Sequence, residues 1–151
     1  MTSTLIHPKQ QEFRDKLVTT DNALILADVG AGARPAMASA AARIGGDWII
    51  IANPMLHQPW ASDSRDEGLK QFWLFTPYGL READPKEPPW NFCQNVMLEF
   101  TPAGKMTARK LPQLFKGYKR VWLRPIGYDT GITRFLPDRE FTRVTLRGLI
   151  P

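Results

Sequence analysis

The stretch from Asn22 to Ala36 constrains the fold more than any other part of the chain. An apolar run, Ala23 to Ala27, leads into Asp28, then Gly30-Ala31-Gly32, then an Ala-rich segment from Ala36 to Ile44. That is the order strand, glycine turn, helix, with Pro35 at the first helical position and Gly45-Gly46 as the stop. Glycines at such a turn let backbone N–H groups approach an anion at a helix N-terminus. At least one of Gly30 and Gly32 is therefore expected at positive φ. Asp47 to Ala52 is β-branched and continuous, which predicts a second strand buried on both faces. Strand, helix, strand permits a right-handed parallel crossover, and it equally permits a helix lying across an antiparallel pair.

Three motifs extend this pattern: His7-Pro8-Lys9-Gln10, then Asp28-Val29-Gly30-Ala31-Gly32-Ala33-Arg34, then Trp48-Ile49-Ile50-Ile51-Ala52-Asn53-Pro54 with Trp60 following. In this order and spacing, residues 6–60 resemble the first lobe of a superfamily-two helicase of the Swi/Snf type. The resemblance covers about a third of the chain and implies a phosphate loop after the first strand. In that family the glycines are followed by Lys-Thr, the Lys reaching the phosphates and the hydroxyl holding Mg²⁺. Here those places hold Ala33 and Arg34, and Pro35 follows. No acidic pair follows a strand either; Asp63, Asp66 and Glu67 lie in a polar stretch. The resemblance thus implies a degenerate lobe without ATP hydrolysis. The plain alternative is a tight turn between an ordinary buried strand and helix.

The remaining chain is expected to differ in texture. Pro8 to Thr19 reads as a short helix with Phe13 and Leu17 on one face. Residues 54–70 read as a loop with one turn of helix. Gln71 to Thr76 carries Phe72, Trp73, Leu74 and Phe75 and reads as a strand. Arg81 to Pro89, with Pro85, Pro88 and Pro89, reads as an extended surface arm. Trp90 to Phe100 alternates in its second half, predicting a strand with one solvated face, and Lys105 to Leu111 its hairpin partner. Arg120 to Arg124 and Glu140 to Leu146 complete the strands. The expected architecture is α+β in a single domain, 1–151: a small helix-strand-helix-strand unit over 1–60, then an antiparallel sheet over 71–151 with Pro-rich arms, sharing one core.

Charge is uneven along this frame. Residues 1–75 hold seven Lys/Arg against eight Asp/Glu, and residues 76–151 hold thirteen against seven. Between Glu99 and Asp129 there is no acid, while Lys105, Arg109, Lys110, Lys116, Lys119, Arg120 and Arg124 alternate with Phe115, Tyr118 and Trp122. Basic residues mixed with aromatics can follow a phosphate backbone, meet an acidic protein surface, or form a solvated strand face over core aromatics. The candidate partner-binding residues are Lys105, Arg109, Lys110, Lys116, Tyr118, Lys119, Arg120, Trp122 and Arg124.

Catalytic chemistry finds no constellation. The single cysteine, Cys93, excludes an internal disulfide and reads as a small buried residue beside Trp90 and Phe92. His7 and His57 alone build no convincing zinc site, and His57 reads as a hydrogen-bonded loop histidine. The carboxylate pairs Asp66/Glu67 and Asp138/Glu140 lie in charged surroundings that do not raise a pKa. No metal or cofactor is expected. There is no long apolar run and no basic-then-apolar start, so neither a membrane span nor a signal peptide is expected, and synthesis is placed in the cytoplasm.

The expected function is a non-enzymatic structural or interaction subunit of a large assembly, in its concrete form a bacteriophage virion protein of capsid, neck or tail. Pro-rich arms, Trp60 and Trp90 in loops, and the basic second half support it, with other protein subunits as partners in a homo-oligomer or hetero-assembly. The alternative is a degenerate helicase-like module that binds nucleic acid through residues 105–124.

Overall fold

The computed structural model describes residues 7–100, 109–126 and 131–148. Six strands form one sheet: β1 (Asn22–Ala27), β2 (Asp47–Ile51), β3 (Gln71–Phe75), β4 (Asn95–Phe100), β5 (Arg120–Pro125) and β6 (Thr142–Leu146). Their order is β3-β2-β4-β5-β1-β6, and every pairing is parallel. The class is therefore α/β, and the expected antiparallel sheet over 71–151 does not form.

The physical reason lies in β4 and β5. Val96, Leu98 and Phe100 do share one face, but the other face of β4 is not solvated; all six residues are buried. Glu99 made β4 look amphipathic, yet it is only 4% exposed because Arg124 of β5 stands opposite it in register. A buried ion pair thus gave two interior strands the alternation of half-exposed ones. Strands buried on both faces belong to parallel sheets covered on each side.

The covering layers follow from the crossovers. Helices α1 (Pro8–Val18), α2 (Ala33–Ile44) and α3 (His57–Asp66) lie on one face, over Ile25, Trp48, Ile50, Met97, Trp122 and Val144. Phe13 and Leu17 bury α1 as its spacing predicts, and His7 caps it by accepting from the Lys9 N–H at 3.1 Å. Half of α2 is alanine, with no exposed surface at Ala36, Ala38, Ala40 and Ala41, so its backbone packs close to its neighbours. Trp48 and Trp122 meet beneath these helices with ring centroids 4.7 Å apart.

The second face, with Leu24, Ile49, Leu98, Val121 and Leu123, is covered by residues 77–94, by the single turn α4 (Leu111–Leu114) and by the 3₁₀ turn Ile132–Phe135. The expected surface arm is part of this layer: Ala83 and Trp90 are buried, and Phe75 stacks on Trp90 at 4.6 Å. The expected loop over 54–70 is mostly α3, whose Trp60 is fully buried. The expected hairpin strand from Lys105 falls outside the described residues as far as position 108, and Leu111 belongs to α4.

Candidate functional site

In an open parallel sheet, the connections from neighbouring strands leave toward opposite faces at a switch point, and a crevice opens at the carboxyl ends there. Here the order reverses between β2, which continues into α3 on the first face toward β3, and β4, which leads to α4 on the second face and β5; β1 lies beyond β5 and continues into α2 on the first face. The glycine turn lies at the carboxyl end of β1. Gly30 and Gly32 both have φ +83°. The Asp28 N–H donates to the Leu146 carbonyl at 3.0 Å, the Ala31 N–H returns to the Asp28 carbonyl at 3.1 Å, and the Asp28 carboxylate accepts from the Gly148 N–H at 2.5 Å. Gln10 of α1 donates to the Gly32 carbonyl at 3.2 Å. The turn is thereby pinned to β6 and to α1, and α2 begins at Ala33 with no side chain capping its first N–H groups.

Two ion pairs occupy the space beside it. Arg34, in the first turn of α2, donates from Nε to Asp63 of α3 at 2.9 Å. One turn earlier on α3, the Trp60 indole N–H points to Glu99 Oε1 at 3.4 Å. Glu99 Oε2 in turn accepts from Arg124 at 2.7 Å. Arg124 and Glu99 side chains are 8% and 3% exposed, so this pair is sealed. Ala33, standing where a phosphate-loop lysine would stand, is 2% exposed. The arrangement offers glycine-turn N–H groups and an uncapped helix start, but its acids and bases neutralise one another. No group of three metal-ligating side chains exists among the described residues.

The basic interval is dispersed by the fold. Lys105 lies outside the described residues. Arg109, Lys116 and Lys119 are exposed. Lys110 donates to the Arg81 and Ala83 carbonyls, fastening α4 to the 77–94 segment. Arg120 is half-buried against Asp21 and Asn95. Tyr118 is buried with its hydroxyl donating to the Trp90 carbonyl at 2.8 Å. Trp122 is fully buried and donates to the Thr20 carbonyl at 2.9 Å. Arg124 faces the first layer of helices, so the predicted charges do not share one face.

Cys93 and the hydrogen bonding of His57 fall as expected, although His57 begins α3 and does not lie in a loop. Cys93 is buried, and burial, aided by Asp47, pushes its thiol up to about 12. Burial also raises the Tyr118 phenol, with Cys93 adding to it. The His57 Nε2 lies 2.9 Å from the Ala52 carbonyl and 3.1 Å from that of Phe75, so it donates between the ends of β2 and β3. Trp60 and Trp90 are not exposed anchors but core residues, 0% and 5% exposed.

Sequence reasoning missed three arginines. Arg134, Arg139 and Arg143 line one cleft of about 300 Å³ beside β1 and β6. Their spacing is irregular in sequence, and only the turn at 132–139 brings them together.

The fold and turn define an open, all-parallel α/β sheet with a glycine turn between its first strand and α2. No protein-family model matches the chain, and no curated protein matches it either. Among the described residues, no helix is long and apolar enough to cross a membrane.

Proposed function

We propose that this chain is a non-hydrolysing module of phosphate-loop-like architecture that acts by binding nucleic acid. The observation that carries this reading is the glycine turn: it follows β1, opens α2, and lies at the carboxyl edge of a parallel sheet with both glycines at φ +83°. The degenerate helicase lobe suggested by residues 6–60 is the form this architecture would take. The Arg34–Asp63 pair supports the non-hydrolysing half, because the side chain replacing the Mg²⁺-binding hydroxyl is already engaged. The excess of basic residues in the second half supports an anionic polymer as ligand. The test is a titration with single-stranded oligonucleotide at several salt concentrations. Binding that weakens steeply and linearly on a log–log plot is expected. Absence of binding at low salt overturns the nucleic-acid half of the reading.

One observation favours the assembly reading, including a virion protein. Val29, Met55 and Tyr78 are 81%, 82% and 75% exposed, and they sit on the loops following β1, β2 and β3. Met55 and Tyr78 follow adjacent strands at the carboxyl end of the sheet, and exposed large apolar side chains there are what a protein partner would cover. A mass measurement on the eluting species after size exclusion tests this: an oligomer that dissociates on replacing Met55 and Tyr78 by Ser supports it, and a monomer at high concentration counts against it for self-assembly.

A further inference from the structure

Away from the glycine turn, two connected clefts lie on the second face, beside β1 and β6. The first, of about 300 Å³, is lined by Leu24, Thr133, Arg134, Arg139, Phe141 and Arg143 among others. The second, of about 450 Å³, shares Leu136, Pro137 and Arg139 with it and continues to Asn22 and Lys116. Among the described residues, four basic side chains line the pair, and Asp138 is the one acid.

Arg139 forms the wall between them. It donates to Asn22 Oδ1 and the Phe115 carbonyl, each at 2.8 Å, and to the Tyr118 carbonyl at 2.5 Å. All three acceptors are uncharged. No carboxylate lies within ion-pair distance of it among the described residues. Burial lowers its pKa and Asp138 works the other way. The wall is therefore a guanidinium fixed in place by neutral partners, and its field extends into both clefts. Arg134 is exposed, with its guanidinium 5.1 Å from the Phe135 ring. Arg143, also exposed, stands beside Leu24 in the β1–β6 register. Phe141, half-buried, adds apolar surface over the buried Leu24.

Guanidinium groups match phosphate oxygens in pairs, and an aromatic or aliphatic wall accepts a flat ring. The volume suits one such unit better than an extended acidic peptide, which would bring carboxylates and no ring. We propose that this cleft binds a nucleotide unit, its phosphate held by Arg134 and Arg143 and its base against Phe141. The unit can belong to a single strand, in which case the inference deepens the nucleic-acid reading above and rests on it, or it can be a free nucleotide.

The experiment uses the full chain, a short fluorescein-labelled oligothymidylate followed by anisotropy, and thymidine monophosphate and polyglutamate as competitors. Arg134→Ala with Arg143→Ala is expected to weaken oligothymidylate binding by about tenfold or more in a chain that still unfolds cooperatively in urea. Lys70→Ala, on the exposed loop before β3, should change nothing. Oligonucleotide binding that survives the double variant overturns this site and leaves the general reading standing. Arginine-dependent binding of the mononucleotide without the oligonucleotide supports the site and overturns the general reading. Loss of both ligands in the unaltered chain overturns both. Polyglutamate competing as well as the mononucleotide overturns the choice of ligand.

Discussion

Arg34 Nε and Asp63 Oδ2 stand 2.9 Å apart, each side chain nearly three-quarters buried, and they tie the first turn of α2 to the middle of α3. The bond places a cation from the glycine-turn helix against an acid that follows β2, and leaves neither free for a nucleotide's metal ion. No ATP hydrolysis is expected from the purified chain. Restoring Lys and Thr by Ala33→Lys with Arg34→Thr should not create it, because among the described residues no acidic pair follows a strand to hold the metal ion and Glu99 remains bound to Arg124. A phosphate-release assay that detects turnover in the double variant would show that the rest of the machinery is intact.

The two turn glycines should differ in tolerance. Both sit at φ +83°, but a Cβ on Gly32 would come 2.1 Å from the Gln10 amide nitrogen, whereas one on Gly30 would meet nothing within 4 Å. Gly30→Ala should cost about 1 kcal/mol from backbone strain alone. Gly32→Ala should cost more, since Gln10 must also move and its bond to the Gly32 carbonyl is lost. Urea midpoints of the two variants check the order; equal midpoints would mean that Gln10 yields freely.

Glu99 and Arg124 form the buried pair whose removal should be felt most. Glu99→Gln or Arg124→Met alone leaves an uncompensated buried polar or charged group and should destabilise by about 3–5 kcal/mol. Replacing both by apolar residues should recover much of that loss. A double-mutant cycle by chemical denaturation measures the coupling; additivity of the two single losses would contradict the pairing.

Stability should fall in alkaline solution. The Cys93 thiol is raised from 9.0 to about 12 by burial and by Asp47. Between those values the unfolded chain has lost a proton that the folded chain keeps, so protons favour the folded state and raising the pH opposes it. Tyr118 is shifted in the same direction and extends the loss further up. Cys93→Ala should flatten the decline above pH 9 in a series of urea titrations. An unchanged slope would place the alkaline sensitivity elsewhere.

Local order was legible where a residue's own pattern decides its conformation. The glycine turn, the boundaries of α1, the β2 run and the short β5 and β3 strands all follow from spacing and composition. Strand direction was not legible in β4 and β5, because Glu99 and Arg124 hide each other's burial and their pairing is a tertiary fact. For α3, Pro54 and Pro59 and many polar residues suggested a loop, whereas Trp60 anchors a helix under the α2 layer. The candidate cleft was illegible for a similar reason: Arg134, Arg139 and Arg143 converge only through the turn after β5. The Trp residues in Pro-containing stretches were read from their neighbours, but burial depended on what packed over them.

The strand order also dictates how this chain can be assembled. β1 is bordered by β5 on one side and β6 on the other, with Asn22 opposite Val121 and Ala27 opposite Leu146. During vectorial synthesis, an early and apolar segment must therefore wait with both hydrogen-bonding edges open until the last strands emerge. Contacts of such sequence separation give a high contact order, which slows folding and prolongs the interval in which open edges can pair with another chain. A chain shortened before Arg120 would retain β2, β3 and β4 as neighbours but leave β1, and the glycine turn it carries, with no strand to lie against.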